Sequence, residues 1–147
     1  GFALASYVLS KGFDPFKMAS LGAIVGIPAF ILVIMSGSFQ ITSFFVSGVF
    51  LIGFSGGLFG HGTLTATMQN APAEQCGLAL GAWGAVQASA AGIAIALGGI
   101  IRDFVAANSS AVNGYVSVYS LEVILLFGTV WAMYPLIKRT NKMTVLA

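Results

Sequence analysis

The chain has 147 residues, 58% of them hydrophobic and 7% charged, with a formal net charge of +2. A water-soluble domain carries about 25% charged residues, so six basic and four acidic side chains cannot cover a water-facing surface: this is a membrane protein. The few, scattered basic residues exclude a nucleic-acid partner, and a lone Cys76 excludes an internal disulfide or a cysteine metal cluster.

Crossing a bilayer takes about 20 mostly apolar residues, which predicts four full spans behind the end of a fifth. Residues 1–10 (GFALASYVLS) read as the tail of a helix already under way, with no signal peptide, so the chain is expected to be a piece of something longer. The loop SKGFDPFK leads to a span at about 18–37, where Pro28 predicts a kink. The next spans follow SFQ at about 41–68, QNAPAEQCG at about 78–105 and AANSSAVNG at about 114–137. All are expected to be helices, because backbone groups in lipid must be satisfied within the segment and the alternation of a barrel strand is absent.

Such short connections make consecutive helices antiparallel neighbours. Lys11 and Lys17 precede the first full span, and Lys138, Arg139 and Lys142 follow the last. An even number of crossings separates the two groups, so both are assigned to the cytoplasm and the C-terminus with them. The SFQ and AANSSAVNG loops, without Lys or Arg, face outward; Arg102, beside Asp103 near an outer helix end, is the exception.

Helices associate in lipid through small residues that let backbones approach. Gly84, Ala88, Gly92 and Ala96 recur every fourth position, with Gly77, Gly81, Ala85 and Ser89 in an adjacent row. The first row is expected to be an internal seam, its alternative being a face offered to another protein's helix. Gly22 with Gly26, Gly53 with Gly57, and Gly56 with Gly60 repeat the spacing. Charged groups at membrane depth are usually paired or functional. Glu122 lies roughly 12 Å into the last span, at a depth similar to that of Arg102 on the preceding helix, which predicts an ion pair fixing that hairpin. A proton-coupling carboxylate is the functional alternative.

The stretch SGGLFGHGT (Ser55–Thr63) holds the only histidine, roughly 10 Å from the cytoplasmic end of its helix. No second His, Asp or Glu lies at helical spacing, so a conventional metal site is unsupported. His61 admits three roles: a hydrogen bond to Thr, Ser or Gln87 of a neighbouring helix, a proton or substrate contact in a transport path, or ligation of the magnesium of a chlorin. Gly57 and its neighbouring glycines would leave room for a flat macrocycle. No nucleophile has a nearby base and no phosphate loop occurs, which argues against an enzyme.

The runs GHGTLTATM (Gly60–Met68) and CGLALGAWGAVQASAAGIAIALGGIIRD (Cys76–Asp103), above all GAWGAVQA (Gly81–Ala88), resemble the PucC/LhaA family. That family is the bacteriochlorophyll-related branch of the major facilitator superfamily in phototrophic bacteria. The resemblance implies a major-facilitator-type bundle of twelve helices, of which this chain covers the end of the eighth through the twelfth. Only Lys11, Gly12 and Lys17 echo the superfamily's Gly/Asp/Arg-rich loop motif. The resemblance further implies an assembly factor in the intracytoplasmic photosynthetic membrane. Its partners would be light-harvesting antenna polypeptides and the remaining helices of the same protein, with bacteriochlorophyll as the cofactor it handles. His61, Gly57 and Trp83 are then the candidate pigment contacts. The alternative is a secondary transporter of a tetrapyrrole or another amphipathic solute.

Overall fold

The computed structural model describes residues 1–145, with side-chain surroundings for residues 1–137. The side chains of Lys138, Arg139 and Lys142, used above for orientation, lie outside the described residues. Five helices follow one another: α1 (Phe2–Ser10), α2 (Pro15–Phe39), α3 (Thr42–Asn70), α4 (Cys76–Asn108) and α5 (Ala111–Val145), with one 3-10 turn at Ala73–Gln75 before α4. α2 to α5 are each long and apolar enough to cross a membrane, their most apolar stretches having mean hydropathies of 1.7 to 2.4. The protein is an all-α helical membrane bundle.

Helix α2 begins before its apolar stretch, because its cap rather than hydropathy decides where it starts. Asp14 caps α2: its Oδ1 accepts from the backbone N–H of Phe16 at 2.7 Å and of Lys17 at 3.2 Å. Pro15 occupies the first turn, where its missing N–H leaves no bond unmade. Helix α2 then runs continuously past Pro28 to Phe39, and Gln40, left-handed at φ 59°, turns the chain directly into α3.

The most extensive interface joins α2 to α3. Along α2 the residues facing it are Pro15, Ala19, Gly22, Gly26, Ala29 and Val33, all buried and spaced alternately by four and three. They meet Gly48, Ser55 and Gly62 of α3, spaced by seven and also buried. The contacts share one antiparallel register: Gly62 lies on the backbone of Pro15 and Ala19, Gly22 on that of Ser55 and Phe59, and Gly48 on Ala29 and Val33. A seven-residue repeat keeps one stripe facing its partner along the whole length, as in a coiled coil, with small residues here letting the backbones touch.

Helix α5 lies beside the α2–α3 seam, with Leu126 over Gly26 next to Ser55 and Tyr119 against Phe30, and α4 packs on α5. Helix α1 rests on α3 through a cluster of Ala5, Met18 and Leu58. Among the described residues, the buried apolar side chains are Ala5, Met18, Ala19, Ala23, Ala29, Val33, Leu58 and Ala66, mostly alanine. Larger apolar residues such as Phe50, Ile95, Phe104 and Trp131 point outward, as suits a lipid surround.

Candidate functional site

Successive residues of a helix project about 100° apart, and α3 uses this around its histidine. His61 points to α1, where its ring meets the edge of Phe2 at a centroid distance of 5.9 Å. Gly62 points to α2, against Ala19 and Pro15. Thr63 points to α4, where its Oγ1 accepts the indole N–H of Trp83 at 3.3 Å. One short stretch thus contacts three helices, and the small residue is the one facing the closest neighbour.

This arrangement separates the candidate pigment contacts. Gly57 shares the face of His61, but a Cβ there would lie 2.9 Å from both the Gly1 Cα and the Phe2 nitrogen. At Gly57 the space expected for a flat macrocycle is therefore filled by the start of α1, while Gly53, Gly56 and Gly60 face open space. Trp83 sits on the opposite side of α3 from His61, held by Thr63. His61, Gly57 and Trp83 do not form a common site, and of the three roles open to His61 the hydrogen bond to Thr, Ser or Gln87 is not made among the described residues, where its ring meets Phe2.

The Arg102–Glu122 ion pair is also corrected. Gly114 packs on the backbone of Arg102 and Gly98 on Val118, a register that sets Glu122 opposite Ala94. Glu122 is eight positions along α5 from Gly114, about two turns or 12 Å beyond the level of Arg102. Arg102 instead pairs with its neighbour Asp103 at 2.8 Å and lies over the ring of Tyr115 at 5.6 Å. Both Arg102 and Glu122 line one groove of about 410 Å³ between α4 and α5, with Tyr115 and Tyr119 between them.

The row Gly84–Ala88–Gly92–Ala96 is not a seam within this chain. No residue of α4 is buried, and a Cβ on Gly84 or Gly92 would meet nothing within 4 Å. Helix α4 turns a different face inward: Trp83 and Gln87 toward α3, then Gly98 and Arg102 toward α5. The glycine row lies about 100° away and stays open.

An open groove of about 550 Å³ lies between α3 and α4. Phe59, Thr63 and Thr67 line it from α3, and Trp83 and Gln87 from α4. Both sets stand at i, i+4 spacing, a signal present in the sequence beside the glycine rows. No cluster of three or more His, Cys, Asp or Glu that could hold a metal ion occurs among the described residues.

The family model described as "PUCC protein" matches residues 1–141. Protein PucC of Rhodovulum sulfidophilum is 56% identical over 122 residues, covering 83% of this chain and 27% of the relative. Protein PucC of Cereibacter sphaeroides is 50% identical over 144 residues, covering 94% of this chain and 31% of the relative. An uncharacterized protein of the puhA-bchM intergenic region in Rhodobacter capsulatus is 39% identical over 147 residues, again covering 94% and 31%. The chain thus spans under a third of the length of these relatives. No solved structure matches it. A family match along almost the whole length of a bundle of membrane-crossing helices places this chain in the PucC family.

Proposed function

We propose that the chain is part of a non-enzymatic accessory factor for assembly of bacterial light-harvesting complexes, one that contacts antenna polypeptides and handles bacteriochlorophyll. The observation that carries this reading is the family match over residues 1–141. The open row Gly84–Ala88–Gly92–Ala96 supports it, because such rows are where helices join in lipid. Its neighbours are the remaining helices of the longer protein, in a major-facilitator-type bundle, and the antenna helices. The protein spans the intracytoplasmic photosynthetic membrane several times with its C-terminus in the cytoplasm. Bacteriochlorophyll would supply a conjugated ring with peripheral carbonyls and a central magnesium, and the residues of this chain would hold and orient it.

A second reading, transport of an amphipathic solute, draws on Glu122. Its carboxylate lies about 16 Å from the start of α5 and makes no ion pair or hydrogen bond among the described residues. Isolated carboxylates at such depth are commonly coupling groups.

The two separate by experiment on the full-length protein. Purified gently from phototrophic membranes, it should bring antenna polypeptides with near-infrared pigment absorption, and its deletion should leave membranes poor in antenna. Normal antenna content after deletion, with saturable solute uptake by vesicles that Glu122→Gln abolishes, would replace assembly by transport.

A further inference from the structure

We propose that the cleft between α3 and α4 binds a flat, neutral, lipid-soluble conjugated ring bearing carbonyl groups, with Phe59 and Trp83 as walls and Gln87 as the polar anchor. This deepens the pigment-handling role proposed above and rests on it. It moves the contact from His61 to the opposite side of α3.

The open groove of about 550 Å³ is lined mainly by apolar surface and by no charged side chain. Two aromatic rings, Phe59 and Trp83, border it, while Ala79 and Ala82 contribute nothing beyond a methyl group. The indole is fixed in place by its N–H bond to Thr63. The hydroxyls lining the cleft are already committed: Thr63 donates to the carbonyl of Phe59 at 3.0 Å, and Thr67 to that of Thr63 at 2.9 Å. Gln87 is different. Its half-buried carboxamide has no hydrogen-bond partner among the described residues.

Gln87 stands eleven positions into α4, about 16 Å from its start, within the stretch of that helix that is long and apolar enough to cross a membrane. An unpaired amide is disfavoured in an apolar stretch of this kind, where water is scarce. An occupant that accepts from its N–H groups through a carbonyl relieves this. Fixed aromatic walls favour a planar ring over a bulky aliphatic one, since ring faces and edges attract. The absence of charge along the lining favours a neutral one.

The test titrates two probes of this chemistry, bacteriochlorophyll a and ubiquinone-10, into the full-length protein in detergent micelles. Binding is followed by tryptophan quenching and probe absorption. At least one probe should bind, and which one does identifies the source of the ring. Gln87→Met, close in size but unable to donate, should weaken it about tenfold, the effect of one lost hydrogen bond. Ala82→Leu, which fills the cleft, should weaken it at least as much, and His61→Leu should leave it unchanged. The infrared carbonyl band of the bound probe should lie below its free position and return upward in Gln87→Met. Affinity within twofold of wild type in both cleft variants, or no binding of either probe, would overturn the inference. Antenna polypeptides copurifying despite that result would leave the assembly role standing; their absence alongside cleft-dependent binding would overturn the role and keep the site.

Discussion

Asp14 carries a stabilising role out of proportion to its size. Its Oδ1 satisfies two backbone donors at the start of α2, and its Oδ2 is buried without a hydrogen-bond partner. Asp14→Ala should destabilise the full-length protein by about 1 kcal/mol, the usual effect of losing a cap, while Asp14→Asn keeps the acceptor and most of the stability. Thermal unfolding of the two variants in detergent checks this. The residue was legible in SKGFDPFK as part of a loop, and the aspartate-proline pair is an ordinary helix start. The surroundings of His61 were less legible. That it stands alone among glycines is plain from the sequence. Whether residue 61, 62 or 63 faces a given neighbour depends on the rotation of α3, which a glycine-rich helix does not reveal.

Between elements, the α2–α3 hairpin depends on hydrogen atoms where other residues place a methyl group. An alanine at Gly22 would bring its Cβ to 2.6 Å from the Phe59 nitrogen, and one at Gly62 to 2.7 Å from the Ala19 nitrogen. Backbone cannot yield as a side chain can, so Gly22→Ala and Gly62→Ala should each destabilise by about 1–3 kcal/mol. Gly53→Ala and Gly56→Ala meet open space and should be near neutral. Unfolding of purified variants in a denaturing detergent distinguishes the pairs. The four helices and their order were readable from hydropathy and loop length. The partners of the glycines were not: every-fourth spacing drew attention to Gly84, Ala88, Gly92 and Ala96, whereas the closest contact follows the sevenfold series Gly48, Ser55, Gly62. Likewise, counting depth from each helix end could not place Arg102 and Glu122, because the hairpin's register is set by Gly114 seating on the backbone of Arg102.

At the scale of the whole molecule, the proposed orientation places the Cys76 end of α4 in the cytoplasm and Ser109 outside. In full-length protein whose other cysteines are replaced, a membrane-impermeant maleimide should label Cys76 in inside-out vesicles and leave it untouched in intact cells. Ser109→Cys in a cysteine-free background should do the reverse, and the opposite pattern would invert the topology. Orientation rests on few basic residues, whereas the bundle itself follows from an apolar composition that admits little else. The glycine row of α4 meets no helix of this chain, and no local pattern names what joins it.

The tight α2–α3 hairpin has one more consequence. No Asp, Glu, Lys or Arg occurs between Lys17 and Glu74, and only Gln40 and Ile41 separate the two helices. Whichever side the turn ends on, no formal charge has to be dragged through the bilayer to get it there. The pair can therefore enter the membrane as a unit without carrying a formal charge across it.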